Sequence, residues 1–188
     1  SPDGRYLASG SGTDKVIPNN AGENITRIWD TASWTEVLSL KGHRDGVLGV
    51  EWTHSGDRIA TVSDDRTVRT WSIPDGSMLV NASGHTSGVL DVDWSDDDST
   101  LITGSRDYKI KLWNSTTGET LATWPDYNCV RSVDLHPDST VAATSGVDLT
   151  LKIRDAGTGT SLKVIKDGVD EHAMVMCSKW SPDGNSLA

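Results

Sequence analysis

The sequence predicts an all-β protein built from a repeated unit of about 42 residues, each containing four short antiparallel strands. Two landmarks recur at that spacing: the dipeptide Gly-His at 42–43 returns at 84–85, and Trp29 returns as Trp71 and Trp113. Between them, runs rich in Val, Ile, Thr and Trp alternate with turns of Gly, Asp, Pro and Ser. No segment keeps an apolar period of about 3.6 residues, so we expect almost no helix.

The second unit shows the strand pattern most clearly. Its turns are THSG, DDR and IPDG, and its predicted strands are 47–52, 58–63, 67–71 and 77–82. The second strand of successive units is rich in small and β-branched residues, as in RIATVS, TLITGS and TVAATS. Such strands suit a sheet that is covered closely on both faces.

The two ends of the chain carry the same turn, SPDG, at 1–4 and 181–184. The first unit has predicted strands 5–11, 25–29 and 36–40 and lacks a first strand, a type that 174–180 would supply. We therefore expect an incomplete ring of about four units, cut from a larger ring. The expected units are 1–41, 42–83, 84–125, 126–168 and the start of another at 169–188.

One stretch interrupts the repeat. Residues 13–24, TDKVIPNNAGEN, replace the tight turn found at the same place in other units. We expect a hairpin-loop insertion, which either is tolerated without a role or binds a partner.

Composition narrows the classes of function. The formal net charge of −10 and the pI near 4.8 disfavour nucleic-acid binding, and no apolar stretch is long enough to cross a membrane. Cys129 and Cys177 stand far apart without a Cys-x-x-Cys pair, which fits a reducing, intracellular compartment in the cytoplasm or nucleus. We expect no metal and no cofactor, because neither metal-ligand spacing nor a complete phosphate-binding loop is present.

Four antiparallel strands in about 40–45 residues are typical of a β-propeller blade. The sequence resembles the WD-repeat family along essentially its whole length. The resemblance is carried by Gly-His at 42–43 and 84–85, Trp-Asp at 29–30, and the looser TWS at 70–72 and LWN at 112–114.

A His, a Ser, an Asp and a Trp occupy fixed offsets in two successive units. These residues are His43, Ser63, Asp65 and Trp71, followed by His85, Ser105, Asp107 and Trp113. A catalytic triad is one interpretation, but a catalytic centre is needed once and this set appears twice. The resemblance implies a structural hydrogen-bond network, in which Asp orients His, His contacts Ser, and Ser reaches the indole N–H.

The fourth unit departs from this pattern. Asp126 stands at the His position, Gly146 at the Ser position and Arg154 at the Trp position, and Asp148 alone is retained. We expect this unit to depend on apolar packing.

The resemblance implies a non-catalytic platform for protein–protein interaction. The expected contact face carries the Gly-His loops and Asp hairpins, with exposed Leu48, Asp64, Leu90, Arg106, Arg131 and Val147. Its expected partners are other proteins or peptides, without nucleic acid or membrane. The alternatives are a structural unit in which two copies of the chain complete one ring and, less favoured, an enzyme built on a propeller.

Overall fold

The computed structural model describes residues 1–12, 24–166 and 175–188. These residues form fifteen strands of five or six residues and contain no helix. The strands are β1 (Tyr6–Gly10), β2 (Ile25–Asp30), β3 (Glu36–Lys41), β4 (Val47–Trp52), β5 (Arg58–Ser63), β6 (Thr67–Ser72), β7 (Met78–Ser83), β8 (Val89–Trp94), β9 (Thr100–Ser105), β10 (Lys109–Asn114), β11 (Thr120–Pro125), β12 (Val130–Leu135), β13 (Val141–Gly146), β14 (Thr150–Asp155) and β15 (Ser161–Lys166).

The strands form four separate antiparallel sheets in chain order. The first sheet has three strands, β1 to β3, and the others have four each: β4 to β7, β8 to β11 and β12 to β15. Over the described residues, the sheets are not closed into a ring. The predicted fold class of four-stranded antiparallel blades is confirmed, and the strands of the second sheet begin and end within one residue of their predicted limits.

Three apolar clusters lie between consecutive sheets and hold them together. The middle cluster packs Val80 and Ala82 of β7 against Trp94, Leu101 and Trp113 of the next sheet. Burying apolar surface stabilises the folded state by about 25 cal/mol per Å². Consecutive sheets are therefore joined mainly by apolar contacts.

Small residues in the second strand of each sheet permit this close approach. A Cβ atom on Gly104 of β9 would lie 2.8 Å from Cγ1 of Val130, on the first strand of the following sheet. That separation is shorter than a van der Waals contact, so any larger side chain at Gly104 would push the two sheets apart.

The prediction of a strand at 174–180 is wrong for residues 175–180, which the structure describes. Residues 175–179 have no strand conformation, and Trp180 makes only an isolated antiparallel bridge to Leu187. Among the described residues, the segment has no continuous antiparallel partner of the kind that β13 gives β12, although the Trp180 amide donates to Oδ2 of Asp134 at 2.5 Å. The segment lies beside β12 without joining a continuous ladder.

The predicted insertion at 13–24 lies outside the described residues except for Asn24. Within the described ranges, no helix has the length and apolarity needed to cross a membrane.

Candidate functional site

Backbone hydrogen bonds define two opposite faces of the molecule. At one face, the backbone amide of Asp64 donates to the carbonyl of Gly46 at 3.0 Å. The backbone amide of Arg106 donates to the carbonyl of Gly88, also at 3.0 Å. These bonds tie each loop that precedes a first strand to the hairpin between the second and third strands. We call this the histidine-loop face; its loops are 42–46, 64–66, 84–88, 106–108, 126–129 and 147–149. The opposite face carries the turns 31–35, 53–57, 73–77, 95–99, 115–119 and 136–140, which are joined in the same way, for example by the Ile73 amide donating to the carbonyl of Asp57 at 2.9 Å.

A chain of hydrogen bonds crosses the second sheet below this face. The indole Nε1 of Trp71 donates to Oγ1 of Thr61 at 2.8 Å, and Thr61 lies 2.8 Å from Nε2 of His43. Nδ1 of His43 lies 2.9 Å from Oδ2 of Asp65. Because an ionised carboxylate only accepts, Nδ1 carries the proton, Nε2 accepts from the Thr61 hydroxyl, and every group in the chain is satisfied.

The hydroxyl in the middle of this chain belongs to threonine, so the expected position of the serine is corrected. Ser63 lies two residues farther along β5, where its Oγ donates to the carbonyl of Asp45 at 2.9 Å and accepts the amide of Asp65 at 3.0 Å. Alternate residues of a strand share a face, so Thr61 and Ser63 both point towards the network. Only Thr61 is far enough from the turn to reach the indole of Trp71.

The third sheet repeats the same arrangement. Oγ1 of Thr103 accepts a hydrogen bond from Nε1 of Trp113 at 2.8 Å and lies 2.9 Å from Nε2 of His85. Nδ1 of His85 lies 2.9 Å from Oδ2 of Asp107. Ser105 instead donates to the carbonyl of Gly88 at 2.9 Å, one residue beyond Ser87, the counterpart of the Asp45 carbonyl that Ser63 uses. Burial lowers the pKa of His85, against the attraction of the Asp107 carboxylate.

The network also keeps its aspartates ionised. Burial would raise the pKa of Asp65, but hydrogen bonds from His43, Thr67 and the Arg44 amide outweigh it and hold that pKa well below its usual range. The bridging hydroxyl of Thr61 is fully buried, beneath the indole of Trp71. This arrangement connects strands and turns and presents no nucleophile at the surface.

The fourth sheet has the expected apolar packing, but it also replaces the aromatic chain with ion pairs, which were not expected. Nη2 of Arg154 lies 2.5 Å from Asp126, and Nε of Arg154 donates to Oγ1 of Thr144 at 3.1 Å. Nζ of Lys152 pairs with Asp126 at 2.5 Å and with Asp148 at 2.7 Å. Asp126 and Arg154 thus take the places of His and Trp, and a threonine again accepts in the middle.

Three of the expected contact residues share one backbone feature. Leu48, Leu90 and Arg131 occupy β-bulges near the start of the first strands, where the register shifts by one residue. A bulged residue has no ladder partner and its side chain is turned away from the regular pleat. Leu48 is exposed, whereas Leu90 and Arg131 are partly buried.

The other three expected contact residues lie on the hairpin turns. Arg106 is exposed and pairs with Asp64 across two neighbouring sheets, and Val147 is partly buried. Sequence reasoning missed the two tyrosines of this face: Tyr108 is 52% exposed and Tyr127 is 93% exposed. The repeat could have indicated both tyrosines. Tyr108 occupies a turn position, and Tyr127 directly follows Asp126, which stands at the His position.

A second charged feature was also missed, on the first strands of the sheets. Lys179 Nζ lies 2.8 Å from Asp134, 3.5 Å from Asp93 and 3.6 Å from Glu51. Glu51, Asp93 and Asp134 keep the repeat spacing, each one residue before Trp52, Trp94 or Leu135. That regular spacing is the signal from which the cluster could have been found.

Burial and charge compete at these carboxylates. Burial raises the pKa of Asp93 to about 7, with Lys179 opposing and the Asp134 carboxylate adding to the rise. Burial would lower the pKa of Lys179, but the carboxylates of Asp93, Glu51 and Asp134 raise it above its ordinary value. One ammonium group therefore joins three sheets through their first strands.

The same carboxylates link neighbouring first strands directly. Oδ2 of Asp93 accepts the amide of Leu135 at 2.7 Å, and Oδ2 of Asp91 accepts the amide of Val133 at 3.0 Å. They set the stagger of one sheet against the next.

Comparison with known proteins identifies the family of this repeat. The WD domain, G-beta repeat family matches three segments, 34–72, 74–114 and 118–155, which together make up more than half of the chain. Coronin-7 of Bos taurus is 38% identical over 50 residues, covering 27% of this chain and 6% of that protein.

Ribosome assembly protein 4 gives similar matches. The Chaetomium thermophilum protein is 48% identical over 40 residues, covering 21% of this chain and 8% of its own length. The Saccharomyces cerevisiae protein is 43% identical over 49 residues, covering 26% of this chain and 10% of its own length. The matched segments span a small part of each relative. With the repeated blades, the His–Thr–Trp chain and the family match together, the chain belongs to the WD-repeat family.

Proposed function

We propose that this chain is a non-catalytic platform that binds another protein or a peptide on the histidine-loop face. The observation that carries the proposal is the exposure of large side chains there: Tyr127 is 93% exposed, Tyr108 52% and Leu48 37%. Exposed aromatic and apolar side chains that share one face favour an interaction site.

The architecture supports this role because scaffold and contact residues are separate. His43, Thr61 and Trp71 are buried and satisfy one another below the face. Leu48 and Tyr127 take no part in that network, so they are available for contact without loss of the scaffold. A rigid sheet framework with variable loops is a common basis for recognition.

The compartment that fits this proposal is the cytoplasm or nucleus. Cys129 and Cys177 are both free thiols. Free thiols of this kind persist in a reducing environment.

Affinity capture with matched variants tests the proposal. The wild type, Tyr127→Ala and Trp34→Ala would each be used as bait, since Trp34 is a 67% exposed aromatic residue on the opposite face. We expect Tyr127→Ala to lose specific partners and Trp34→Ala to keep them. The reverse pattern, or identical partners for all three baits, would show that the contact face is assigned wrongly.

A second hypothesis, in which two copies of the chain complete one ring, has one supporting observation. Ile165 of β15 is 40% exposed, whereas its counterpart Trp124 of β11 is 4% exposed beneath the following sheet. A second copy could cover β15 in the same way. Light scattering after size exclusion separates the cases, because the chain has a mass of 20.2 kDa and this hypothesis requires twice that value.

A further inference from the structure

A cavity of about 300 Å³ lies between the first and second sheets, at the opposite face. Ile28 and Ile73 form its floor and are 0% and 7% exposed, whereas Val37 at its rim is 44% exposed. The ring of Tyr6 forms one wall and stacks on the ring of Trp52, with the two centroids 6.4 Å apart. The cavity is therefore lined by apolar side chains, open at the surface and held in shape from below, as ligand pockets are.

The interface between the second and third sheets is filled differently at the same place. The side chain of Asp98 accepts the backbone amides of His54 and Ser55 at 2.8 and 3.0 Å, which joins the turns of the two sheets. The side chains of Arg58 and Ser115 donate to the carbonyl of Asp98 at 3.2 and 2.8 Å. Polar contacts therefore occupy that interface.

The three side chains that make these contacts are not retained one repeat earlier. Gly56 stands in place of Asp98, Tyr6 in place of Arg58, and Ile73 in place of Ser115. Gly56, Tyr6 and Ile73 all line the cavity. Glycine offers no carboxylate, and isoleucine offers no hydroxyl. An apolar opening thus replaces the polar contacts between turns.

The charge around this cavity is negative. The six turns that define the opposite face contain seven carboxylate side chains and no lysine or arginine. Two arginines border the turns nearest the cavity, Arg5 and Arg58, and two further aspartates, Asp3 and Asp30, offset them. This negative excess attracts a cationic partner and repels phosphates and anionic lipids.

One of the seven carboxylates lies at the cavity itself. Asp57 lines the opening and is exposed. The hydroxyl of Ser55 donates to Oδ1 of Asp57 at 2.7 Å and lowers the pKa of that carboxyl, so Asp57 is ionised at neutral pH. Nε of Arg58 lies 3.6 Å from the same oxygen, whereas Oδ2 accepts no hydrogen bond from the described residues. A carboxylate oxygen is thus open to a cation beside an apolar cavity.

We propose that this cavity binds a basic peptide segment of a partner protein. One leucine, methionine or aromatic side chain of the segment fills the cavity, and a neighbouring lysine or arginine pairs with Asp57. A volume of about 300 Å³ accommodates one large side chain, and the acidic turns attract the flanking cations. The cavity lies apart from the histidine-loop face, so this inference goes beyond the proposed function and does not depend on it.

Peptide selection with a depletion step tests the class of ligand. A library of random peptides of about 12 residues would be depleted on the Val37→Lys variant and then selected on the wild-type chain. Because Val37 is exposed at the rim, lysine there places a long cationic side chain at the opening and leaves the core unchanged. We expect sequences that combine one large apolar residue with several Lys or Arg. Enrichment of Asp and Glu, or no enrichment after depletion, would overturn the inference.

Fluorescence anisotropy of the most enriched peptide then locates the site. Val37→Lys is expected to weaken binding about tenfold or more, because a buried apolar anchor carries much of the affinity at such a site. Leu121→Lys is the matched control, since Leu121 has the same place on the outer strand of the third sheet and is 54% exposed. Both variants add the same charge, so equal losses of affinity would exclude the cavity as the binding site.

The ion pair has a separate test. Asp57→Asn is expected to weaken binding about two- to fivefold, as is replacement of the pairing lysine of the peptide by glutamine. Because both changes remove the same interaction, their effects should not add when they are combined. Asp138→Asn, in an exposed turn of the fourth sheet, is the control. Additive losses, or an equal loss from Asp138→Asn, would contradict pairing at Asp57.

Two further results distinguish this site from other surfaces. Tyr127→Ala should bind the peptide as the wild type does, whereas it should lose the partners of the histidine-loop face. Loss of the peptide in Tyr127→Ala would assign this ligand to that face and overturn the inference, while the proposed function would stand. Self-association of the wild type that Val37→Lys abolishes, measured by light scattering, would assign the cavity to a second copy and would also overturn the inference.

Discussion

Replacing Thr61 by valine removes one hydroxyl from the centre of the hydrogen-bond chain and keeps nearly the same shape. The lost hydroxyl accepts from Nε1 of Trp71 and donates to Nε2 of His43, both at 2.8 Å. Thr61 is fully buried, and Trp71 and His43 are 3% and 8% exposed, so water cannot replace the missing bonds. The substitution therefore leaves one donor and one acceptor buried without partners.

The expected cost follows from those two groups. A buried polar group without a hydrogen-bond partner costs about 1–3 kcal/mol. Two such groups give an expected loss of about 2–6 kcal/mol in the free energy of unfolding, with the lower end favoured if His43 shifts towards Asp65. The same change at Thr103 should cost about as much, since its contacts are the same.

Urea unfolding followed by tryptophan fluorescence measures this loss, and hydrogen exchange at Nε1 of Trp71 locates it. Thr120→Val, at an exposed strand position, is the matched control and should change the free energy of unfolding by no more than about 0.5 kcal/mol. Ser63→Ala should cost less than Thr61→Val, because the Asp45 carbonyl and the Asp65 amide that it leaves lie in turns that water can reach. The reasoning is refuted if Ser63→Ala proves the more damaging, or if Thr61→Val behaves like the control.

The remaining predictions concern the charged groups. Asp126→Asn should lower the free energy of unfolding in urea by about 3–5 kcal/mol, because it leaves the buried cations Lys152 and Arg154 underpaired. Asp96→Asn, at an exposed position, is the control and should have little effect. Equal effects of the two substitutions would contradict the buried ion-pair network. Burial raises the pKa of Asp93 to about 7 from 3.8, so protonation of Asp93 favours the folded state as the pH falls from about 7 to about 4, while Asp91 and Glu51 act in the same direction and His85 in the opposite one. At about 1.36 kcal/mol per pKa unit the contribution of Asp93 is on the order of 2–4 kcal/mol; the free energy of unfolding of the wild type relative to Asp93→Asn should rise by that amount over this range, and parallel pH profiles of the two proteins would exclude it. Lys179→Met should accelerate hydrogen exchange of the Trp180 amide; because Lys179 is half-exposed, its effect on overall stability should stay below about 1 kcal/mol.

The fold was predictable because its signals are local and recur. Strand β5 was expected at 58–63 and is found there, since β-branched residues and flanking turns act within a few residues. Residues 175–180 do not form a strand, although 130–135, their counterpart in the fourth unit, do. Pairing decides the difference, because β12 pairs with β13 whereas Trp180 makes only an isolated bridge to Leu187, and composition does not show pairing.

The candidate site was predictable only in part, for a related reason. Offsets in the repeat identified His43, Asp65 and Trp71, but Thr61 and Ser63 share a strand face and only three-dimensional distance separates their roles. The ion pairs of Asp126 were not predictable, because the sequence alone does not show that a carboxylate and a guanidinium meet at the places of His and Trp. The structure shows that the ion pair of Asp126 and Arg154 takes the place of the hydrogen bonds made by His and Trp in the other sheets.

Repetition itself separates structural from functional residues in this chain. A contact that holds each sheet must recur wherever a sheet recurs, as the bonds of Thr61 and Thr103 do. A contact that recognises one partner is needed once, so it should fall at positions where the repeat varies. Tyr108 shares its turn position with Arg66 and Leu149, all three with positive φ, and the side chain changes while the backbone does not. By this criterion the varying turn and bulge residues carry recognition, because the conformation that displays them is fixed independently of their identity.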